Sequence, residues 1–164
     1  MTHNERLLAE IKQEATATRR LLERVPLDQA DWKPHEKSMS LGRLATHVAE
    51  ISGWWKECFV KDELDFVAGD FTPRIIRTTE ELIALHDAHL EQAERILHET
   101  PEAEFERMWT MRQGETVFFT LPKHEVVRTW CMNHLYHHRA QLTVYLRMLD
   151  VALPGIYGPS ADEG

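Results

Sequence analysis

The segment that decides the fold is NHLYHHRAQL, residues 133–142, which lies inside an apolar-periodic run over 126–149. Apolar residues at this spacing predict one long amphipathic helix. At about 100° per residue, His134 and His138 fall on its apolar face, one turn apart and about 40° apart around the axis. His137 falls roughly 80° away from that line, and we interpret it as a flanking residue. Two imidazoles at this spacing can bind one metal ion.

A histidine pair of this kind needs a third ligand, because a buried histidine is often only a hydrogen-bonded core residue. His47 is the candidate, since it lies on an otherwise apolar face of a second periodic run over 41–59. The other residues on that face are Leu44, Ile51, Trp54 and Cys58. A histidine within such a face requires a polar partner. The sequence therefore predicts a metal site built from His47, His134 and His138.

Three segments carry a family resemblance: SMSLGRLATH at 38–47, the histidine segment at 134–142 and PGIYGPS at 154–160. In this order, and over nearly the whole chain, they resemble the DinB-like (DinB/YfiT) family of bacterial metalloproteins. The resemblance implies a four-helix bundle that binds its metal through one histidine of the second helix and two of an H-x-x-x-H-R-G-Q-like element. Those positions are again His47, His134 and His138. Ala140 stands where the family usually has glycine.

Length and charge limit the classes of protein to consider. The 164 residues predict a single domain over 1–164 that needs no disulfides to form a core. The formal net charge of −8, with 27 acidic and 19 basic residues, disfavours nucleic acid as a partner. No charged and apolar leader begins at Met1, and no apolar run approaches the roughly 20 residues of a membrane span. We therefore predict a cytoplasmic protein with no membrane partner, in which Cys58 and Cys131 are buried thiols rather than a disulfide.

Four helices are expected along the chain. The first runs over 3–25 and stops at Pro26, and the second follows an N-cap at Ser40. A longer connection over 61–78 permits a crossover. Thr79, or Thr78, is expected to cap the third helix, which runs to about Glu99, and the fourth follows Pro122.

A short β-hairpin is predicted just before the last helix. Strand-like segments at 107–111 and 115–119 flank Arg112, Gln113 and Gly114, which have turn character. The fold class is therefore all-α, a four-helix bundle with long crossover connections plus this hairpin. The tail over 154–164 contains Ile156 and Tyr157 among turn formers, so it is expected to fold back onto the protein.

Other polar residues have plain interpretations. His86 and His89 could form an alternative pair, but acidic and polar neighbours such as Asp87 favour surface or hydrogen-bonded histidines. Glu50, three residues after His47, is interpreted as solvated rather than as a support for the ligand.

Three neutral imidazoles leave at least one coordination position open, which is typical of catalytic and ligand-binding metal sites. Zinc, nickel, iron and copper all accept such ligands. Metal ions of this kind either lower the pKa of water for hydrolysis or bind a thiolate. The resemblance implies the second chemistry, because characterised relatives include transferases that use bacillithiol, mycothiol or glutathione, alongside hydrolases.

The working hypothesis is a divalent-metal-dependent enzyme, a thiol S-transferase of a detoxification or stress response. Its ion would be Zn, Ni or Fe, its cofactor a low-molecular-weight thiol, its substrate a small molecule and its assembly a homodimer. The candidate pocket residues are Trp54, Gln141, Tyr145 and Tyr157. The resemblance places Tyr157 near the metal end of the bundle. The alternatives are a metal-dependent hydrolase, a non-catalytic metal or small-ligand binder, and a structural bundle with packed histidines.

Overall fold

Helices make up most of the protein. Its computed structural model describes residues 2–69 and 71–163. Helix α1 is His3–Leu22. A second helical stretch consists of α2, Leu41–Glu50, a 3-10 turn, Ile51–Gly53, and α3, Trp54–Val60. Helix α4 is Thr79–Glu99. The last stretch consists of α5, Lys123–Val126, a π-helical segment, Val127–Asn133, and α6, His134–Met148.

The predicted helix starts are confirmed by their caps. The Ser40 hydroxyl accepts a hydrogen bond from the backbone N–H of Arg43 at 3.3 Å. Thr78 and Glu81 form a reciprocal capping box at the start of α4. Each cap satisfies backbone donors that the first turn of a helix leaves unpaired. Helix α1 ends at Leu22, earlier than the predicted limit at residue 25.

A small three-stranded sheet lies beside the helices, with the order β1, β2, β3. The strands are β1, Glu63–Asp65, β2, Met108–Gln113, and β3, Thr116–Pro122. Strand β1 pairs with β2 in parallel, and β2 pairs with β3 antiparallel. The turn between β2 and β3 lies at residues 114–115, later than the predicted 112–114. Gly114 in this turn has a φ of 56°, a conformation that glycine adopts without strain. The chain is mostly helical as predicted, with β1 as a strand that the sequence did not indicate.

Two apolar clusters divide the core. The first joins the early part of α1 to α3, the sheet and the π-helical segment, and the second joins the end of α1 to α2, α4 and α6. Helix α2 lies against both α4 and α6. Trp54 packs against both clusters, so it lies where they meet.

The π-helical segment directly precedes the histidine pair. A wider turn changes the angular phase of the helix, and such segments frequently accompany functional sites. Cys131, within this segment, faces Cys58 at an Sγ–Sγ distance of 3.8 Å in the first cluster rather than facing the histidines. Both thiols are free and buried, as predicted, and burial raises the pKa of the Cys131 thiol. His134 and His138 follow the π-helical segment, so their spacing is that of a regular α-helix.

Arg139 forms a buried ion pair that ties α6 to α1. Its guanidinium donates to Glu14 Oε2 at 2.6 Å, and to the Glu14 carbonyl and Thr18 Oγ1 at 3.1 Å each. The side chains of Arg139 and Glu14 are only 3% and 8% exposed. The Tyr157 hydroxyl donates to Glu14 Oε2 at 2.8 Å, which attaches the tail to the same pair.

Among the described helices, none is long and apolar enough to cross a membrane.

Replacement of Arg139 by Met should destabilise the protein by about 3 to 5 kcal/mol, because it leaves the buried Glu14 carboxylate without its cation. The matched control is Arg147→Met on the same helix. Arg147 pairs with Asp162 at the surface, with 47% of its side chain exposed, and its loss should cost less than about 1 kcal/mol. Urea unfolding followed by circular dichroism measures both. Equal, small losses would show that the buried pair does not hold α6 in place.

Candidate metal centre

The three predicted histidines lie together between α2 and α6. The Nε2 atoms of His47 and His134 are 3.2 Å apart, and those of His134 and His138 are 2.8 Å apart. One ring nitrogen from each of the three lies within 4.8 Å of the others. Two nitrogens that bind one zinc ion at about 2.05 Å lie about 2.9 to 3.4 Å apart, for angles between about 90° and 110°. The cluster therefore could hold a metal ion with little rearrangement.

His138 has a partner that fixes its ring. Its Nδ1 lies 2.8 Å from Gln141 Oε1. An amide oxygen only accepts hydrogen bonds, so Nδ1 carries the proton and Nε2 keeps its lone pair. Gln141 thereby turns the free nitrogen of His138 towards His134, as supporting residues do at metal sites.

The imidazoles are neutral at pH 7. Burial, followed by the charges of His138, Arg43 and His134, lowers the pKa of His47 to about 3. Burial, followed by His138 and His137, lowers the pKa of His134 to about 4. Burial likewise lowers the pKa of His138, opposed by its hydrogen bond to Gln141. Because a metal ion binds the deprotonated ring, three low pKa values keep all three ligands ready for it.

Aromatic rings surround one side of the cluster. The Trp54 ring meets the rings of His47 and His134 edge-on, at centroid distances of 5.3 and 4.8 Å. Trp130 stacks on Trp54 at 4.6 Å with an interplanar angle of 17°, and the buried Trp109 lies 5.3 Å behind Trp130. These apolar walls lower the polarity around the imidazoles, which agrees with their lowered pKa values.

An open cleft of about 580 Å³ leads to His47 and His134. Its other lining residues come from α2, α3, the 3-10 turn, β1, the segment after residue 70, α4 and the π-helical segment: Arg43, Glu50, Gly53, Trp54, Glu57, Leu64, Phe66, Phe71, Thr72, Pro73, Arg74, His89 and Trp130. A cleft of this size suits a small molecule. A second cavity of about 570 Å³ shares Arg43, Pro73 and Arg74 with it.

The structure separates the four candidate pocket residues into two pairs. Trp54 lines the cleft and Gln141 holds His138. Tyr145 donates instead to the Met39 carbonyl at 3.3 Å, and Tyr157 binds Glu14 and Arg139. Neither tyrosine is among the residues that line the cleft.

One of the other polar residues, Glu50, differs from its sequence interpretation, whereas His86 and His89 are hydrogen-bonded, one of the two alternatives expected for them. Glu50 is not simply solvated, because it pairs with Arg43 at 3.3 Å and only 18% of its side chain is exposed. His86 is fully buried, with Nδ1 bonded to Asp87 at 3.1 Å. His89 lines the cleft, and its Nδ1 lies 3.3 Å from the Ala49 carbonyl. The signal in the sequence for the position of His89 was Gly53, because a Cβ at residue 53 would lie 3.0 Å from the His89 ring.

The fold is mostly helical, and three neutral histidines that could hold a metal ion lie together beside an open cleft. These features are those of a helical metal-binding protein. Over residues 1–164, the sequence matches the model of the DinB family. The chain belongs to the DinB family.

Solved structures give the same fold. A DinB-like protein from Bacillus subtilis is 20% identical and superposes with a TM-score of 0.70, covering 92% of this chain and 96% of that one. A DinB-like protein from Bacillus cereus is 18% identical, also with a TM-score of 0.70, and the coverage is 92% and 95%. A comparison with curated proteins finds no match.

Replacement of His47 or His138 by Ala should abolish stoichiometric metal binding, because two imidazoles leave too few fixed ligands. His137 is the matched control: it is exposed and one residue from His138, so His137→Ala should retain the metal. Metal content by elemental analysis, after purification without a histidine tag, measures all three variants. Metal loss in His137→Ala with retention in His138→Ala would mean that the wrong helix face had been assigned.

Acidification should destabilise the metal-free protein from about pH 6.5 downwards. The folded-state pKa values of His47 and His134, about 3 and 4, lie below the unfolded value of 6.5, so unfolding takes up protons in this range. Urea titrations between pH 7 and pH 5 measure the slope. His47→Ala should reduce the proton uptake by up to about one proton. An unchanged slope would contradict the buried, neutral state of His47.

Proposed function

We propose that this protein is a divalent-metal-dependent enzyme of the thiol S-transferase type, with His47, His134 and His138 as the metal ligands. The observation that carries the proposal is the convergence of three neutral imidazole nitrogens, two of them from histidines that line an open cleft. Among the described residues, the cluster contains no carboxylate and no cysteine. A closed structural zinc site would use four protein ligands, whereas three ligands leave room for a reactant.

The charge of the ligands favours an anionic reactant. Three neutral imidazoles contribute no negative charge, so a divalent ion there keeps its full charge. When bound, such an ion supplies Lewis acidity and stabilises the deprotonated form of a thiol or of water. Zn, Ni and Fe all suit this ligand set, and availability in the cell selects among them.

The residues around the ligands have separate roles in this proposal. Gln141 holds the His138 ring so that Nε2 faces the ion, and Trp54 shields His47 and His134 from water on one side. The cleft admits a small-molecule electrophile and the low-molecular-weight thiol. The four helical stretches are proposed to form a four-helix bundle of a cytoplasmic homodimer, with no nucleic acid or membrane as partner.

Glutathione, bacillithiol and mycothiol should each be titrated calorimetrically into metal-loaded and metal-free protein. At least one thiol should bind only the loaded protein, with an affinity that rises with pH up to the thiol pKa, because the thiolate is the ligand. Turnover is then measured with that thiol and a panel of electrophiles. His137→Ala is the control that keeps all three metal ligands.

Each failure has a different meaning. Loaded protein that binds none of the thiols would exclude the transferase and leave a metal-dependent hydrolase or a non-catalytic ligand-binding protein. Thiol binding without turnover would indicate a non-catalytic thiol-binding protein. Equal binding to the metal-free protein would remove the ion from the mechanism. Protein purified with less than a few tenths of an equivalent of metal would favour histidines that serve only in packing.

A further inference from the structure

Within the part of the chain that the structure describes, the cleft contains one arginine that pairs with no carboxylate. Its two acidic residues already have partners, since Glu50 pairs with Arg43 at 3.3 Å and Glu57 pairs with Lys61 at 2.6 Å. Arg74 also lines the cleft, yet it makes no hydrogen bond or ion pair with any residue within 2–69 or 71–163. The lining therefore contains two arginines and two glutamates, and Arg74 is the arginine that no ion pair with a described residue engages.

Arg74 shares this cleft with His89. The pKa of His89 is lowered mainly by burial, with the positive charge of Arg74 as a further cause. The His89 ring packs against Gly53, between the 3-10 turn and α4. Arg74 and the half-buried His89 therefore line one cleft from different parts of the chain.

The walls beside Arg74 are aromatic. Trp54 and Trp130 form a stacked pair that borders the cleft. Two further lining residues, Phe66 after β1 and Phe71, have rings 5.0 Å apart and are 38% and 47% exposed. Exposed aromatic faces of this kind bind flat apolar groups by stacking and by burying apolar surface.

We propose that the cleft selects a small molecule that carries both a planar apolar group and a carboxylate, with Arg74 as the residue that recognises the carboxylate. A guanidinium presents paired N–H donors that match the two oxygens of a carboxylate. Trp54, Trp130, Phe66 and Phe71 provide the surfaces for the planar group. This inference rests on the proposed function only in taking the cleft as the substrate site.

The preference for a carboxylate should come from Arg74 and not from the metal ion. A metal ion would also attract a carboxylate, so the two sources must be separated. Chelator-treated protein removes the contribution of the ion, and Arg74→Gln removes that of the guanidinium while retaining a polar side chain. Arg77→Gln is the matched control, because Arg77 belongs to the same segment but does not line this cleft.

The test uses 4-nitrobenzoate and its neutral isostere 4-nitrobenzamide, which quench tryptophan fluorescence when they stack near Trp54 and Trp130. Metal-free wild-type protein should bind the carboxylate about tenfold more tightly than the amide at low salt. Arg74→Gln should lose this preference and bind the amide as before, whereas Arg77→Gln should keep it. Added salt should weaken carboxylate binding, because the charges are partly exposed.

Four results would overturn the inference: no saturable quenching by either probe, equal affinities in the wild-type protein, a preference that survives in Arg74→Gln, or a preference that disappears when the ion is removed. The proposed function is judged separately from metal content and thiol binding. A carboxylate preference in metal-free protein supports the inference even if the transferase proposal fails, and thiol turnover without such a preference supports only the latter.

Discussion

The buried ion pair between Arg139 and Glu14 ties α6 to α1 directly beside the histidines, and the site depends on how α6 is rotated. Arg139 follows His138 in the chain, so the two side chains point about 100° apart around the helix. With Arg139 held against α1 by Glu14 and Thr18, His138 must face α2 and His47. A buried charge without its partner costs several kcal/mol, so other rotations of α6 are strongly disfavoured. Arg139 thus has the role of positioning His138, its neighbour on α6.

The burial of the histidines has two consequences. Burial keeps the imidazoles neutral, which preserves their lone pairs for a metal ion. The same neutrality leaves the charge of a bound ion uncompensated by its ligands, which favours an anionic reactant. Arg74 lines the same cleft and has no ion pair with a residue of 2–69 or 71–163, so a bound metal ion and the protein would both attract an anionic molecule.

Several features could be predicted because their causes are local in the chain. Ser40 and Thr78 cap helices through bonds to residues three positions later, and the i, i+4 spacing puts His134 and His138 on one face. The chain also contains features whose causes are distant in sequence. Strand β1 is three residues long and forms by pairing with β2. A segment this short has no periodic pattern from which the strand could be predicted.

The sequence by itself determined the helical character, the family and the three histidines that converge, because periodicity and motif spacing are properties of consecutive residues. Only the tertiary structure decided which other side chains join them. Glu50 meets Arg43, and His89 enters the cleft beside Gly53 from a different helix. Tyr157 joins Arg139 rather than the cleft. Such contacts depend on the relative rotation and distance of elements far apart in the chain, which packing and buried charge pairs set together.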